Sequence, residues 1–162
     1  NIKFMRNLQR LQLGSLNHVT EFPEDLSSLT ELRDIRLTSI SQTRLSKIPD
    51  SFFTLDLTWF VANGIFDLSD PIASNLFKIN QFENLQYLYL EQSSINNYFP
   101  NDFATFKDSI AGLRLTGSTF DIFPPVIDLY ENLRNYYTGT IGKSDAVAPM
   151  FNSATKKKLD LL

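Results

Sequence analysis

Apolar residues spaced i, i+3, i+5 recur six times along this chain: Leu8/Leu11/Leu13, Leu32/Ile35/Leu37, Leu57/Phe60/Ala62, Leu85/Leu88/Leu90, Ile110/Leu113/Leu115 and Leu133/Tyr136/Thr138. The first residues of successive triplets lie 24, 25, 28, 25 and 23 positions apart. Each triplet predicts a short strand whose second and third apolar residues enter a core while the residues between them face outward. All seven prolines fall in one later slot: Pro23, Pro49, Pro71, Pro100, Pro124 with Pro125, and Pro149. Proline lacks an N–H donor and favours extended backbone before it, so that slot suits a turn, not a strand. An apolar pair three residues apart follows: Leu26/Leu29, Phe52/Leu55, Phe103/Phe106 and Ile127/Tyr130, with Ile79/Phe82 in the same role after an insertion near residues 63–80. That spacing predicts one short helical or 3₁₀ turn packing inward. The expected outcome is six parallel strands beginning near residues 10, 34, 59, 87, 112 and 135. No single repeat can bury its apolar face alone, so the core must form between neighbours.

The phrases LQRLQL (8–13), LRDIRL (32–37), LQYLYL (85–90) and IAGLRL (110–115) resemble the leucine-rich repeat family, as does the proline phrase SKIPDSFFTL (46–55). LTWFVA (57–62) and LRNYYT (133–138) are degenerate versions. The resemblance implies an α/β fold: a right-handed β-α superhelix, or solenoid, whose parallel sheet lines a concave face used in recognition. One feature departs from the family. The ninth position, usually an Asn that bonds the turn backbone, holds Leu16, Ile40, Ile65, Ser93, Ser118 and Ile141. Serine reaches backbone groups weakly, and Leu or Ile not at all.

The whole of residues 1–162 reads as one such domain of about six repeats and, from its ends, as a fragment of a longer solenoid. Ile2 and Met5 already occupy the spacing of the apolar pair, and Leu159 with Leu162 resembles the start of a seventh triplet. Without polar caps these ends are expected to drive end-to-end self-association.

Composition narrows the function classes. A net charge of −3 argues against non-specific nucleic-acid binding. No apolar run reaches the ~20 residues of a membrane-spanning helix. The absence of cysteine excludes disulfides, zinc-thiolate sites and cysteine nucleophiles. None of the thirteen asparagines begins an N-glycosylation motif. Together these absences direct the reading to a bacterial protein, secreted or held at the cell surface, with a cytoplasmic location as the alternative.

Enzyme chemistry finds little support. The only histidine, His18, falls in a predicted turn, and neither a GxSxG elbow nor a glycine-rich phosphate loop occurs. Asp67, Asp70 and Asn63 match no calcium-loop spacing and read as solvated loop residues; the basic run Lys156 to Lys158 reads likewise. Neither a cofactor nor a metal is expected.

The outward rows of the strands carry the more informative chemistry. One row holds Arg10, Asp34, Trp59, Tyr87, Gly112 and Asn135; the next holds Gln12, Arg36, Val61, Tyr89, Arg114 and Tyr137. With the flanking rows, five arginines stand against Asp34 and Glu91 on a chain that is acidic overall. Trp, Tyr and Arg dominate binding hot spots; equally, aromatics and arginines pair across strands for stability. Arg10, Arg36, Trp59, Tyr87, Tyr89, Arg114 and Tyr137 are therefore the candidate ligand-binding residues. They are expected to form an exposed aromatic shelf ringed by guanidinium groups, open to an acidic polypeptide or to an acidic glycan stacking on Trp59. The function this implies is a non-enzymatic recognition module for a protein or glycan ligand. A structural spacer or intracellular scaffold is the alternative.

Overall fold

The computed structural model describes residues 2–14, 21–38, 48–64, 78–79, 81–93, 109–114 and 116, together with the backbone of 115 and 135–138. Six strands form one sheet: β1 (Arg10–Gly14), β2 (Asp34–Thr38), β3 (Trp59–Asn63), β4 (Tyr87–Tyr89), β5 (Gly112–Leu115) and β6 (Asn135–Thr138). They lie in sequential order and every neighbouring pair is parallel. The strands start at the residues the periodicity indicates, and equivalent repeat positions face each other: Ile35 pairs with Leu11 and Phe60, and Leu88 with Phe60 and Leu113. In broad class this is an α/β arrangement, although the helices among the described residues are 3₁₀, at Ile2–Phe4 and Asp50–Thr54.

The connecting segments behave as the i, i+3 pairs require. The N–H of Leu29 bonds the carbonyl of Leu26, that of Leu55 bonds Phe52, and that of Phe82 bonds Ile79. Each bond closes one 3₁₀ turn and points two apolar side chains the same way. All six of these residues are buried. Pro49, with φ −69° and ψ 151°, sits immediately before the 50–54 helix, where its missing N–H leaves no bond unmade. Beside the first such turn, the Ser27 hydroxyl and N–H both bond the Asp25 carboxylate, at 2.6 and 2.9 Å. These bonds hold Asp25 below its ordinary value of 3.8. Their contribution is present above that value and lost as the pH falls through the lower folded one.

The core lies between the sheet and these turns. Phe52 is its centre, with ring centroids 5.4 Å from Phe22, 5.0 Å from Phe60 and 5.7 Å from Phe82. Phe52 of the second repeat thus joins the first, through Phe22, to the third, through Phe60 and Phe82. The in-turned strand residues Ile35, Leu37, Phe60, Ala62 and Leu88, and Leu90 just after β4, are completely covered. Polar side chains tie the layers at the same period: Lys78 pairs with Asp50 at 2.6 Å, Asn84 donates to Asp56, Ser109 donates to the Leu85 carbonyl, and the Leu26 N–H donates to Ser51.

After β3 and β4 the chain turns through a left-handed residue, Gly64 (φ 67°) and Gln92 (φ 53°), at equivalent repeat positions. Glycine adopts that conformation without penalty, whereas Gln92 bears a cost of about 1–2 kcal/mol. At the ninth position, Ser93 is buried and its hydroxyl reaches the Glu91 carbonyl at 3.2 Å and that of Ala62 at 3.5 Å. Leu16, Ile40, Ile65, Ser118 and Ile141 lie outside the described residues.

Two expectations need correction. Leu11 and Leu13 do not join the core as their counterparts do: Leu11 is half-buried and Leu13 is 38% exposed. The reason is position, because β1 is a sheet edge and no described strand covers its outer side. Phe4 and Met5 are open on the same end, at 75% and 57% exposed; Leu159 and Leu162 lie outside the described residues. Conversely, Asp34 and Val61 face outward yet are buried.

Leu13 and Leu37 are register partners in opposite environments, which provides an internal control. Leu37→Ala is expected to destabilise the chain by about 2–5 kcal/mol, as in a full core site. Leu13→Ala should cost less than half as much, by urea denaturation of both variants. Exposed Phe4, Met5 and Leu13 should also make self-association rise with concentration. Sedimentation velocity should show Leu13→Lys reducing it; a wild-type chain that stays monomeric at millimolar concentration would contradict this.

Candidate functional site

The face of the sheet opposite the core is where the candidate residues meet. Parallel in-register pairing sets same-row side chains of adjacent strands about 5 Å apart, so each must lie against its neighbour. Trp59 of β3 and Tyr87 of β4 are register partners, and their rings stack at 3.7 Å with planes 21° apart. Tyr89, two residues along, meets Trp59 edge-on at 5.9 Å and Tyr87 at 6.3 Å. The Arg36 guanidinium, from β2, lies 4.8 Å over the Trp59 ring, and that of Arg114, from β5, lies 4.8 Å over Tyr89. Each such cation–aromatic pair stabilises by about 0.5–1 kcal/mol where solvent has access.

Two residues not among the candidates organise the group. Asp34 accepts hydrogen bonds from Nε of Arg10 at 2.7 Å and from Nε and Nη2 of Arg36 at 2.9 and 3.0 Å. A buried carboxylate is costly to desolvate, and these three charge-assisted bonds offset that cost. The same bonding raises the Arg36 pKa above its ordinary value, against the opposing effect of burial. Gly112 is the second. A Cβ built on it would stand 2.7 Å from Cδ1 of Tyr87 and 3.2 Å from Cε1, so the tyrosine ring occupies the space a side chain would take. The repeat alignment sets Asp34 beside Arg10 and on the face of Arg36, and Gly112 beside Tyr87; the contacts they make were not legible from it.

A chain of contacts therefore runs from Arg10 through Asp34, Arg36, Trp59, Tyr87 and Tyr89 to Arg114, across five strands. Tyr137 lies in β6 as the register partner of Arg114; its side chain is outside the described residues. Two features differ from expectation, and a third adds to it. Trp59, Tyr87 and Tyr89 are half-buried, not fully exposed, because they pack on one another. Trp59 has Arg36 and Tyr87 reaching it from opposite neighbouring strands, which leaves its edge rather than a free face for a sugar. The two acids of this face are already engaged: Asp34 as above, and Glu91 through Asn63, whose Nδ2 donates to it at 2.8 Å.

Along the strand-start side of the face runs an open groove of about 760 Å³, lined by Arg10, Glu31, Arg33, Asp34, Thr58 and Trp59. Arg33 belongs to a flanking row already counted in the sequence, whereas Glu31, which precedes β2, escaped notice because it lies outside the strand alternation. Among the described residues no group of three or more His, Cys, Asp or Glu is placed to hold a metal ion, and no helix is long and apolar enough to cross a membrane.

Trp59 is the only tryptophan, so its fluorescence reports this site directly. Gly112→Ala is expected to displace the Tyr87 ring and disturb the Trp59 stack, changing the emission maximum and near-ultraviolet dichroism while far-ultraviolet dichroism holds. An unchanged Trp59 signal would mean that the tyrosine does not rest on Gly112.

No family model matches the chain, and a search of curated proteins likewise returns no match.

Proposed function

We propose that this chain is a leucine-rich-repeat superhelix acting as a non-enzymatic recognition module, part of a bacterial secreted or cell-surface protein. Its ligand surface is the outward face of the sheet. The observation that carries this reading is the row Arg36–Trp59–Tyr87 with Tyr89 and Arg114 beside it. Large aromatic and guanidinium groups are gathered on the face away from the core, where folding alone requires no apolar surface. Their mutual contacts hold the rotamers before a partner arrives, which lowers the entropy cost of binding. Half-buried rings with accessible edges suit a protein partner better than a sugar needing a free aromatic face.

The same contacts also favour a second reading. Side chains that satisfy one another across strands stabilise a spacer or scaffold without any ligand. The two readings separate in one experiment. Peptide-display libraries panned on the wild-type chain should yield binders whose affinity falls by at least ~2 kcal/mol on a Trp59→Ala, Tyr89→Ala double variant of unchanged far-ultraviolet dichroism. Binders that ignore the double substitution would assign the aromatics to stability alone.

A further inference from the structure

Asp34 is placed where a carboxylate is least expected. It faces outward between register partners Arg10 and Trp59, yet only 8% of its side chain is accessible, against 64% for that of Arg10. Its two oxygens are taken by Nε of Arg10 and by Nε and Nη2 of Arg36. Arg10 is thus gripped by one edge of its guanidinium, and its outer N–H donors remain beyond the clamp. One negative charge is shared by two positive ones, so the triad stays cationic. Two unclamped arginines would repel and sample many rotamers; a shared carboxylate holds both in place. This arrangement is preorganised for a second carboxylate arriving from outside.

The surroundings define what that carboxylate belongs to. Arg10 and Asp34 line the groove together with Trp59, Glu31 and Arg33. Arg33 is engaged by the Thr30 and Leu32 carbonyls and by Asp56 at 3.4 Å. The donors offered to an anion in the groove are therefore the outer N–H groups of Arg10, and the apolar contact comes from Trp59. In an extended peptide, residues i and i+2 share a face about 7 Å apart, close enough for an acid to reach the clamp while an apolar neighbour reaches Trp59. We infer that Arg10, held in place by the Asp34 carboxylate it shares with Arg36, anchors an acidic side chain of an extended polypeptide segment lying in this groove. The inference rests on the reading of this face as a recognition surface and names its ligand class.

The test uses a fluorescein-labelled octapeptide repeating Glu-Ser-Leu-Ser, its Gln-Ser-Leu-Ser counterpart and a labelled uronic-acid hexasaccharide, followed by anisotropy at low salt. The Glu peptide should bind about 10-fold more tightly than the Gln peptide, the value of a lost charged hydrogen bond. Arg10→Ala should abolish that preference. Arg10→Lys should restore only part of it, because an ammonium lacks the planar fork. Asp34→Asn should weaken the Glu peptide although it makes the groove more positive. Arg10 is exposed, so its variants keep the test valid even if Asp34→Asn fails to fold, with Trp59 emission as the check. Equal binding of the two peptides, preference for the saccharide, or tighter Glu-peptide binding by folded Asp34→Asn would each overturn the inference. Equal peptide binding that is still lost in the Trp59→Ala, Tyr89→Ala variant would leave the recognition surface standing without its acidic preference.

Discussion

The carbonyl immediately before each of the first four strands accepts two backbone N–H groups from the next repeat. Gln9 receives those of Arg33 and Asp34, Arg33 those of Thr58 and Trp59, Thr58 those of Gln86 and Tyr87, and Gln86 those of Ala111 and Gly112. This shared acceptor recurs at the repeat period and pins the starts of β2 to β5, each against its predecessor. Side chains alternate with period two, so a slip of one residue would turn Ile35 and Leu37 outward and drive Asp34 and Arg36 into the core. Phe52 can meet Phe22, Phe60 and Phe82 only while that register holds. Core and surface therefore share a single backbone constraint.

On the outward face the same spacing forces neighbours to accommodate one another. Bulky Trp59 stacks on Tyr87, Tyr87 rests where Gly112 has no side chain, and Arg36 closes over Trp59. Asp34 is tolerated in a buried setting because guanidinium groups supply its hydrogen bonds from β1 and from its own strand. Much of the aromatic surface that would otherwise be a sticky exposed patch is consumed internally. What remains for a partner is ring edges, the outer donors of Arg10 and a polar groove. The stabilising contacts and the proposed recognition chemistry are thus carried by the same side chains, which is why only binding measurements separate the two roles.

The apolar triplets determined the strand positions, because a period of 23–28 residues with LxxLxL spacing has few physical solutions once each repeat must bury its face on a neighbour. The i, i+3 pairs likewise determined the 3₁₀ turns. Sequence also placed Arg10, Arg36, Trp59, Tyr87, Tyr89 and Arg114 on one face, since alternation is a local property. Tertiary structure alone decided that Leu13 is open while Leu37 is sealed, because burial depends on whether a further strand lies alongside and not on residue type. It also decided that Asp34 is a clamp rather than a free charge, that Val61 is covered, and that Trp59 shows an edge rather than a face. These outcomes depend on rotamers chosen by cross-strand neighbours 24–28 residues away in sequence, and no local pattern encodes them.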